Sequence, residues 1–153
     1  MKHEITLRTF NNSDTKDLFE WRNHPIVRVN FFNHCPLIWE EHKRWFQAKI
    51  QDPKSFTYIA YKGKDKIATI RFDEKDESIK VSVMVNPAFM GQGLGTEVIK
   101  LGTEEWIKGK QLDKPIIAEI KGDNIPSRRV FERAGFKESF TTYVWNPGEK
   151  VHG

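Results

Sequence analysis

The residues of this chain best placed to do chemistry are the ones without side chains. Gly91, Gly93 and Gly95 alternate with other residues in the run Met90, Gly91, Gln92, Gly93, Leu94, Gly95, Thr96. The run follows an apolar strand pattern ending at Val85 and precedes a helical pattern. Glycines in that setting let main-chain N–H groups approach an anion, and a helix N-terminus adds about half a positive charge. The chemistry indicated is phosphate binding by backbone amides. Two familiar phosphate loops are excluded by spacing. A P-loop needs Gly-Lys-Ser/Thr, and Leu94-Gly95-Thr96 lacks the lysine. A dinucleotide fingerprint needs G-x-G-x-x-G in an opening βαβ unit, and this is G-x-G-x-G on a middle strand. A glycine-rich turn without a ligand is the alternative.

A second group of polar residues lies in the N-terminal third. Trp21, Arg22 and Asn23 end one helical pattern and Pro25 interrupts it. His42 falls inside the apolar stripe of the next helix, four residues after Ile38. A core tryptophan with Arg22 in a structural salt bridge, and a hydrogen-bonded core histidine, are the bland readings of these positions.

The elements that must position both groups can be read from periodicity. Glu4 to Phe10 alternates Ile5, Leu7 and Thr9 against polar partners, a strand. Residues 11–14, "NNSD", offer N-caps for a helix carrying Leu18, Phe19 and Trp21. A second helix covers Leu37 to Asp52, with Ile38, Trp45, Phe46 and Ile50 on one stripe. Ser55 to Tyr61 and Lys66 to Phe72 are strands joined as a hairpin at "KGKD". Ser78 to Val85 is a strand with Ile79, Val81, Val83 and Val85 on one face. A helix over Thr96 to Lys108 and a strand over Pro115 to Ile120 follow. Pro126 opens a short helix that Gly135 closes, and Phe136 to Trp145 supplies one long strand or two short ones. The tail from about residue 146 is expected to fray. The order β-α-α-β-β-β-α-β-α-β indicates one α/β domain over residues 1–153. Its mixed, mostly antiparallel central sheet is flanked by helices, with a single parallel crossover unit.

Composition narrows the function. The 153 residues include five Trp and eleven Phe and are 38% hydrophobic, enough for an ordered core. A net charge of +4 suits an anionic small ligand. Acidic residues are interleaved throughout, unlike the basic stripe of a nucleic-acid binder, so no nucleic-acid partner is expected. The single Cys35 allows no intrachain disulfide. No apolar run approaches the roughly 18 residues of a membrane span and the N-terminus is no signal peptide, so a cytoplasmic protein with no membrane partner is expected. The abundant aromatics allow a homodimer.

About 30 residues after the glycine run comes "NIPSRRVFERAGF", Asn124 to Phe136. A strand ending in V-x-P, a G-x-G-x-G/A loop, a helix, a strand, then N-x-x-S and E-x-x-G-F resembles the acetyl-CoA-dependent GNAT N-acetyltransferase superfamily. The two motifs run from about Ile79 to Phe136, and the N-terminal strand and paired helices extend the likeness over nearly the whole chain. The resemblance implies acetyl-CoA as cofactor and no metal. It implies that the loop Met90 to Thr96 binds the pyrophosphate of coenzyme A, and that main-chain groups of Met84 and Val85 pair with the pantetheine arm. Asn124 would contact the cofactor at the start of the second motif. Met90 stands where relatives carry Arg or Gln, which implies weaker phosphate binding.

Acetyl transfer to an amine needs a neutral nucleophile, a polarised thioester carbonyl and a proton for the departing thiolate. By the resemblance, a main-chain N–H near Met84 or Val85 polarises the carbonyl. Relatives protonate the thiolate with a Tyr four residues after the Ser, but here that position is Phe131. Ser127, used in relatives that acetylate ribosomal-protein N-termini, is the candidate acid, or else a helix-start residue bonding local backbone. Tyr143 is the reserve. The usual base, a Glu seven residues before the V-x-P proline, is Lys80 here, which leaves Glu119 and His42.

The combination W-R-N-x-P at Trp21 with the later E-E-H at Glu40 resembles the sugar-nucleotide N-acetyltransferases of the pseudaminic-acid pathway. That implies a nucleotide-linked amino-deoxysugar as the small-molecule acceptor. Arg22 would offer its fixed fork of donors to a diphosphate, Asn23 would stand beside it, and His42 would meet the sugar or its phosphate. Two readings compete. One keeps the cofactor and makes the acceptor the α-amine of a protein or peptide. The other, suggested by the missing Tyr and Glu, is a non-catalytic acyl-CoA-binding sensor.

Overall fold

The computed structural model describes residues 4–31, 35–141, 143, 145 and 147. Five strands lie side by side in sequence order, β1 (Ile5–Thr9), β2 (Ser55–Lys62), β3 (Asp65–Glu74), β4 (Ile79–Val85) and β5 (Ile116–Ile117). β1 to β4 are successively antiparallel, and β4 and β5 form the one parallel pair. The helices are α1 (Thr15–Asn23), α2 (Pro25–Arg28), α3 (Trp39–Gln51), α4 (Leu94–Ile107) and α5 (Ile125–Arg133).

Strand alternation divides the side chains between two faces. On one, Ile70, Phe72, Ile79 and Val81 pack with Val98, Ile99 and Trp106 of α4. Trp106 stacks on Phe72 with ring centroids 4.7 Å apart and planes 5° from parallel. Each such buried side chain contributes about 1.5–3 kcal/mol. α4 rests so close to the sheet that a Cβ on Gly102 would lie 2.8 Å from Ile70 Cγ2. The opposite face carries α1 and α3, with Leu18, Trp21, Phe46 and Ile59 buried together and Phe10, Tyr61 and Met84 packed against them.

That second face is also held by charge. Asp14, with no side-chain surface exposed, accepts from Arg8 Nη2 (2.7 Å), Arg8 Nη1 (3.0 Å), Lys66 Nζ (2.8 Å) and the Asn11 amide (3.0 Å). Burial pushes its carboxyl up, and these donors outweigh burial and hold it below the usual range. Asp73 on β3 accepts from Lys49 Nζ, Arg71 Nε and Ser55 Oγ at 2.7–3.0 Å.

The structure corrects several sequence expectations. α4 begins at Leu94 rather than Thr96, because Gly93 takes a left-handed conformation (φ 74°) and serves as N-cap. Of the stripe expected on α3, only Phe46 and His42 are buried, while Ile38, Trp45 and Ile50 are exposed. Trp45 instead lies under the cations of Arg71 (4.8 Å) and Lys49 (5.6 Å). The strand expected over Pro115 to Ile120 is confined to Ile116–Ile117, and none of the described residues between Phe136 and Trp145 is in a strand. Apart from Pro147, the tail from 146 lies outside the described residues.

Candidate functional site

The short β5 shapes the site. Backbone pairing between β4 and β5 stops at Lys80↔Ile117, while β4 runs on to Val85. The two chain segments therefore part, leaving a wedge along β4. Parity shows which amides face it. Ile79 N donates to Pro115 O on the β5 side (2.9 Å), and Asn86 N donates to Ile67 O on the β3 side (2.8 Å). Main-chain groups alternate sides along a strand, so those of Val83 and Val85 point into the wedge and those of Met84 point to β3, whose Thr69 it pairs with. The Met84 backbone expected to pair with pantetheine is thus occupied. The main-chain groups of Val85 and Val83 are left on the open edge. Val83 shares the parity of Ile79, and only the bond from the Ile79 amide to Pro115 O shows which side that parity faces.

The glycine run caps the wedge. Asn86 ends β4 by donating Nδ2 to Lys66 O (2.9 Å) and accepting from the Ala88 amide (3.0 Å). Gly91 and Gly93 adopt φ of 80° and 74°, a region that costs other residues about 1–2 kcal/mol. Gly95 serves another purpose: a Cβ there would lie 3.1 Å from Val130 Cγ1, so it lets α5 lean on α4. Met90, Gly91, Gln92 and Gly93 are exposed, and α4 has no side-chain cap. Among the described residues, no hydrogen bond accepts from the amides of Gly91, Gln92, Gly93, Leu94, Gly95 or Thr96. A row of unengaged amides at a helix N-terminus is an anion site.

On α5, Asn124 is buried and caps the helix through its side-chain oxygen, which accepts from the Ser127 amide (3.3 Å). Its carbonyl is therefore committed to the fold. Ser127 is half-buried, and its Oγ bonds none of the described residues, so the local-backbone reading of that hydroxyl does not hold. Phe131 is buried edge-on to Phe136 at 5.2 Å. Tyr143 is 93% exposed, away from the packed part of the site.

The α1–α3 side holds the residues expected at the acceptor. Asn23 clamps the Leu37 main chain, donating Nδ2 to its carbonyl (3.1 Å) and accepting its amide (2.6 Å). That corrects its expected substrate role: it tethers the connection between α1 and α3. His42 is only 7% exposed, its ring 4.4 Å from Phe46 and its Nε2 donating to Thr15 O at 3.3 Å. Burial pushes its imidazole below the ordinary range and keeps it neutral. It is a core histidine rather than an acceptor contact. Arg22 lies with its guanidinium carbon 3.3 Å from the Phe31 ring centre. Glu119, past the end of β5, faces Lys80 Nζ across the wedge at 3.7 Å, both half-exposed. Asp73, opposite Lys80 in the β3–β4 register, is another carboxylate on this side. Its neighbouring cations hold its carboxyl at about 2, too weakly basic to take a proton from an amine.

The family model for the acetyltransferase (GNAT) domain matches residues 4–137. An uncharacterized protein of Methanocaldococcus jannaschii is 23% identical over 141 residues, which cover 89% of this chain and 28% of that protein. The chain thus spans under a third of that relative's length. Among solved structures, the aminoglycoside acetyltransferase AAC(6')-Ib in complex with coenzyme A and kanamycin is 19% identical, with a TM-score of 0.78 covering 91% of this chain and 87% of that one. Spermidine N-acetyltransferase from Vibrio cholerae, in complex with coenzyme A and spermine, is 18% identical, with a TM-score of 0.79 covering 89% and 82%. With a family match over residues 4–137 and a splayed strand beside free helix-terminal amides, the chain belongs to the GNAT acetyltransferase family.

Proposed function

We propose that the protein is an acetyl-CoA-dependent N-acetyltransferase acting on a primary amine. The observation that carries this reading is the run of unengaged amides from Gly91 to Thr96 at the mouth of the β4–β5 wedge. The pyrophosphate of coenzyme A fits those amides, and its pantetheine arm fits the open edge at Val83 and Val85. The amine nitrogen attacks the thioester carbonyl carbon, the carbon–sulfur bond breaks, and the thiolate leaves. A main-chain N–H of β4 stabilises the charge on the carbonyl oxygen. Ser127 supplies the thiolate's proton and Glu119 takes the proton shed by the amine. Asn124 caps the start of α5, the helix that carries Ser127.

The finer acceptor we propose is the amino group of a nucleotide-linked deoxysugar. Its support is the W-R-N-x-P segment and the presence of an amino-saccharide enzyme among the structural neighbours. The test is thiol release from acetyl-CoA with four amines: a UDP-linked amino-deoxysugar, kanamycin, spermine and a short unblocked peptide. Turnover strongest with the UDP-sugar supports the full reading, and turnover strongest with the peptide replaces the acceptor. Coenzyme binding with no turnover on any amine makes the protein a sensor. Ser127→Ala is expected to lower kcat by about 10²-fold, the lower end for general acid catalysis, with coenzyme affinity unchanged.

A further inference from the structure

Arg22 is the one described residue with a buried charged nitrogen that nothing satisfies. Its Nη1 is sealed from solvent and has no hydrogen-bond partner, and no ion pair reaches its guanidinium among the described residues. The Phe31 ring covers one face of the guanidinium and fixes its plane. Burial lowers its pKa, and no carboxylate offsets that effect. The polar side chains around it are committed elsewhere: Asn23 to Leu37, and His42 to Thr15. The position at the C-terminal end of α1 is favourable for a cation, but a helix dipole does not replace a hydrogen-bond acceptor.

The location adds the second half of the argument. Trp21, next in sequence, shares a core cluster with Met84 of β4. Lys121, beyond β5, donates to Val29 O just past α2 at 3.3 Å. The end of α1 and α2 therefore bridge the two sides of the wedge, and Arg22 sits on the side opposite the glycine loop. We infer that Arg22 is an anion subsite of the acceptor pocket, its guanidinium taking a phosphate or carboxylate oxygen of the acceptor. The inference rests on the proposed acetyltransferase reading and names what that acceptor must carry besides an amine.

The experiment measures thermal shifts of the full chain and of Arg22→Met with three probes: coenzyme A, UDP, and a neutral-ended dipeptide bearing one Asp side chain. Coenzyme A should raise Tm in both proteins. If it raises neither, the acetyltransferase reading fails, whatever happens at Arg22. UDP or the acidic dipeptide should stabilise the native protein and bind Arg22→Met at least tenfold more weakly, as expected for loss of a charge-assisted hydrogen bond. Which of the two responds distinguishes a phosphate from a carboxylate. Without ligand, Arg22→Met should melt at or above the native temperature, because removing an unpaired buried cation relieves the fold. Equal binding of the anions by both proteins, binding by neither, or a lower Tm for the ligand-free variant would each overturn the inference.

Discussion

The two faces of the sheet use opposite means to reach a similar end. The α4–α5 face is apolar side chains pressed close to the sheet, and the polar work at its edge falls to main-chain amides. The α1–α3 face has a smaller apolar cluster, and two buried carboxylates, Asp14 and Asp73, tie its elements together through four cations. In the proposed reading the shared cofactor is met by backbone, which every sequence has and only conformation needs to aim, and the acceptor by side chains, whose positions depend on long-range pairings. The comparison also isolates Arg22: the acidic groups buried on that face are over-partnered, and the buried guanidinium is not.

The largest test of this contrast is at Asp14. Asp14→Ala leaves Arg8 and Lys66 without their shared carboxylate and should cost about 3 kcal/mol, measured by urea unfolding. A loss under ~1 kcal/mol would show that the ionic face is not a scaffold. Gly93→Ala acts on the other face. A Cβ there meets nothing within 4 Å, so only the left-handed φ resists it. The strain of about 1–2 kcal/mol should weaken coenzyme A binding on the order of tenfold in calorimetry, while the acceptor face stays intact. Unchanged affinity would remove the amides from the cofactor site.

The smallest effect is at Asp73. Its carboxyl is held at about 2 against 3.8 ordinarily, despite a burial cost, by Arg71, Ser55 and Lys49. A depressed folded-state pKa stabilises the fold above the unfolded value and loses that contribution as pH falls through the folded one. Stability should therefore drop between about pH 4 and pH 2. The share from Asp73 is roughly 1 kcal/mol after allowing for the solvent that reaches Lys49 and Arg71. Asp73→Asn should flatten that part of an acid-titrated denaturation curve, and an unaltered slope would place the acid sensitivity at other carboxylates.

How much of this was legible beforehand follows the same division. The alternation of Ile79, Val81, Val83 and Val85 located β4 and its buried face, and Gly91 with Gly93 located the anion loop, because period and conformational freedom are local properties. Gly95 belonged to the motif but serves packing, which appears only when Val130 is brought against it. Asn23 was legible as a polar residue at a helix end and His42 as one inside an apolar stripe, yet the histidine's partner and the asparagine's target lie 27 and 14 residues away.

By itself, then, the sequence determined the order of the five strands and of α1, α3, α4 and α5, the glycine turn, and the presence of Phe131 and Lys80 where the family resemblance led one to expect Tyr and Glu. Each is written in neighbouring residues and obeys rules of a few residues' range. Only the tertiary structure decided where β5 leaves β4, which parity of amides is exposed there, and which of Arg22, Asn23 and His42 keeps an unmet hydrogen bond. Those outcomes depend on contacts between distant segments, and a buried polar group is defined by partners that spacing cannot supply.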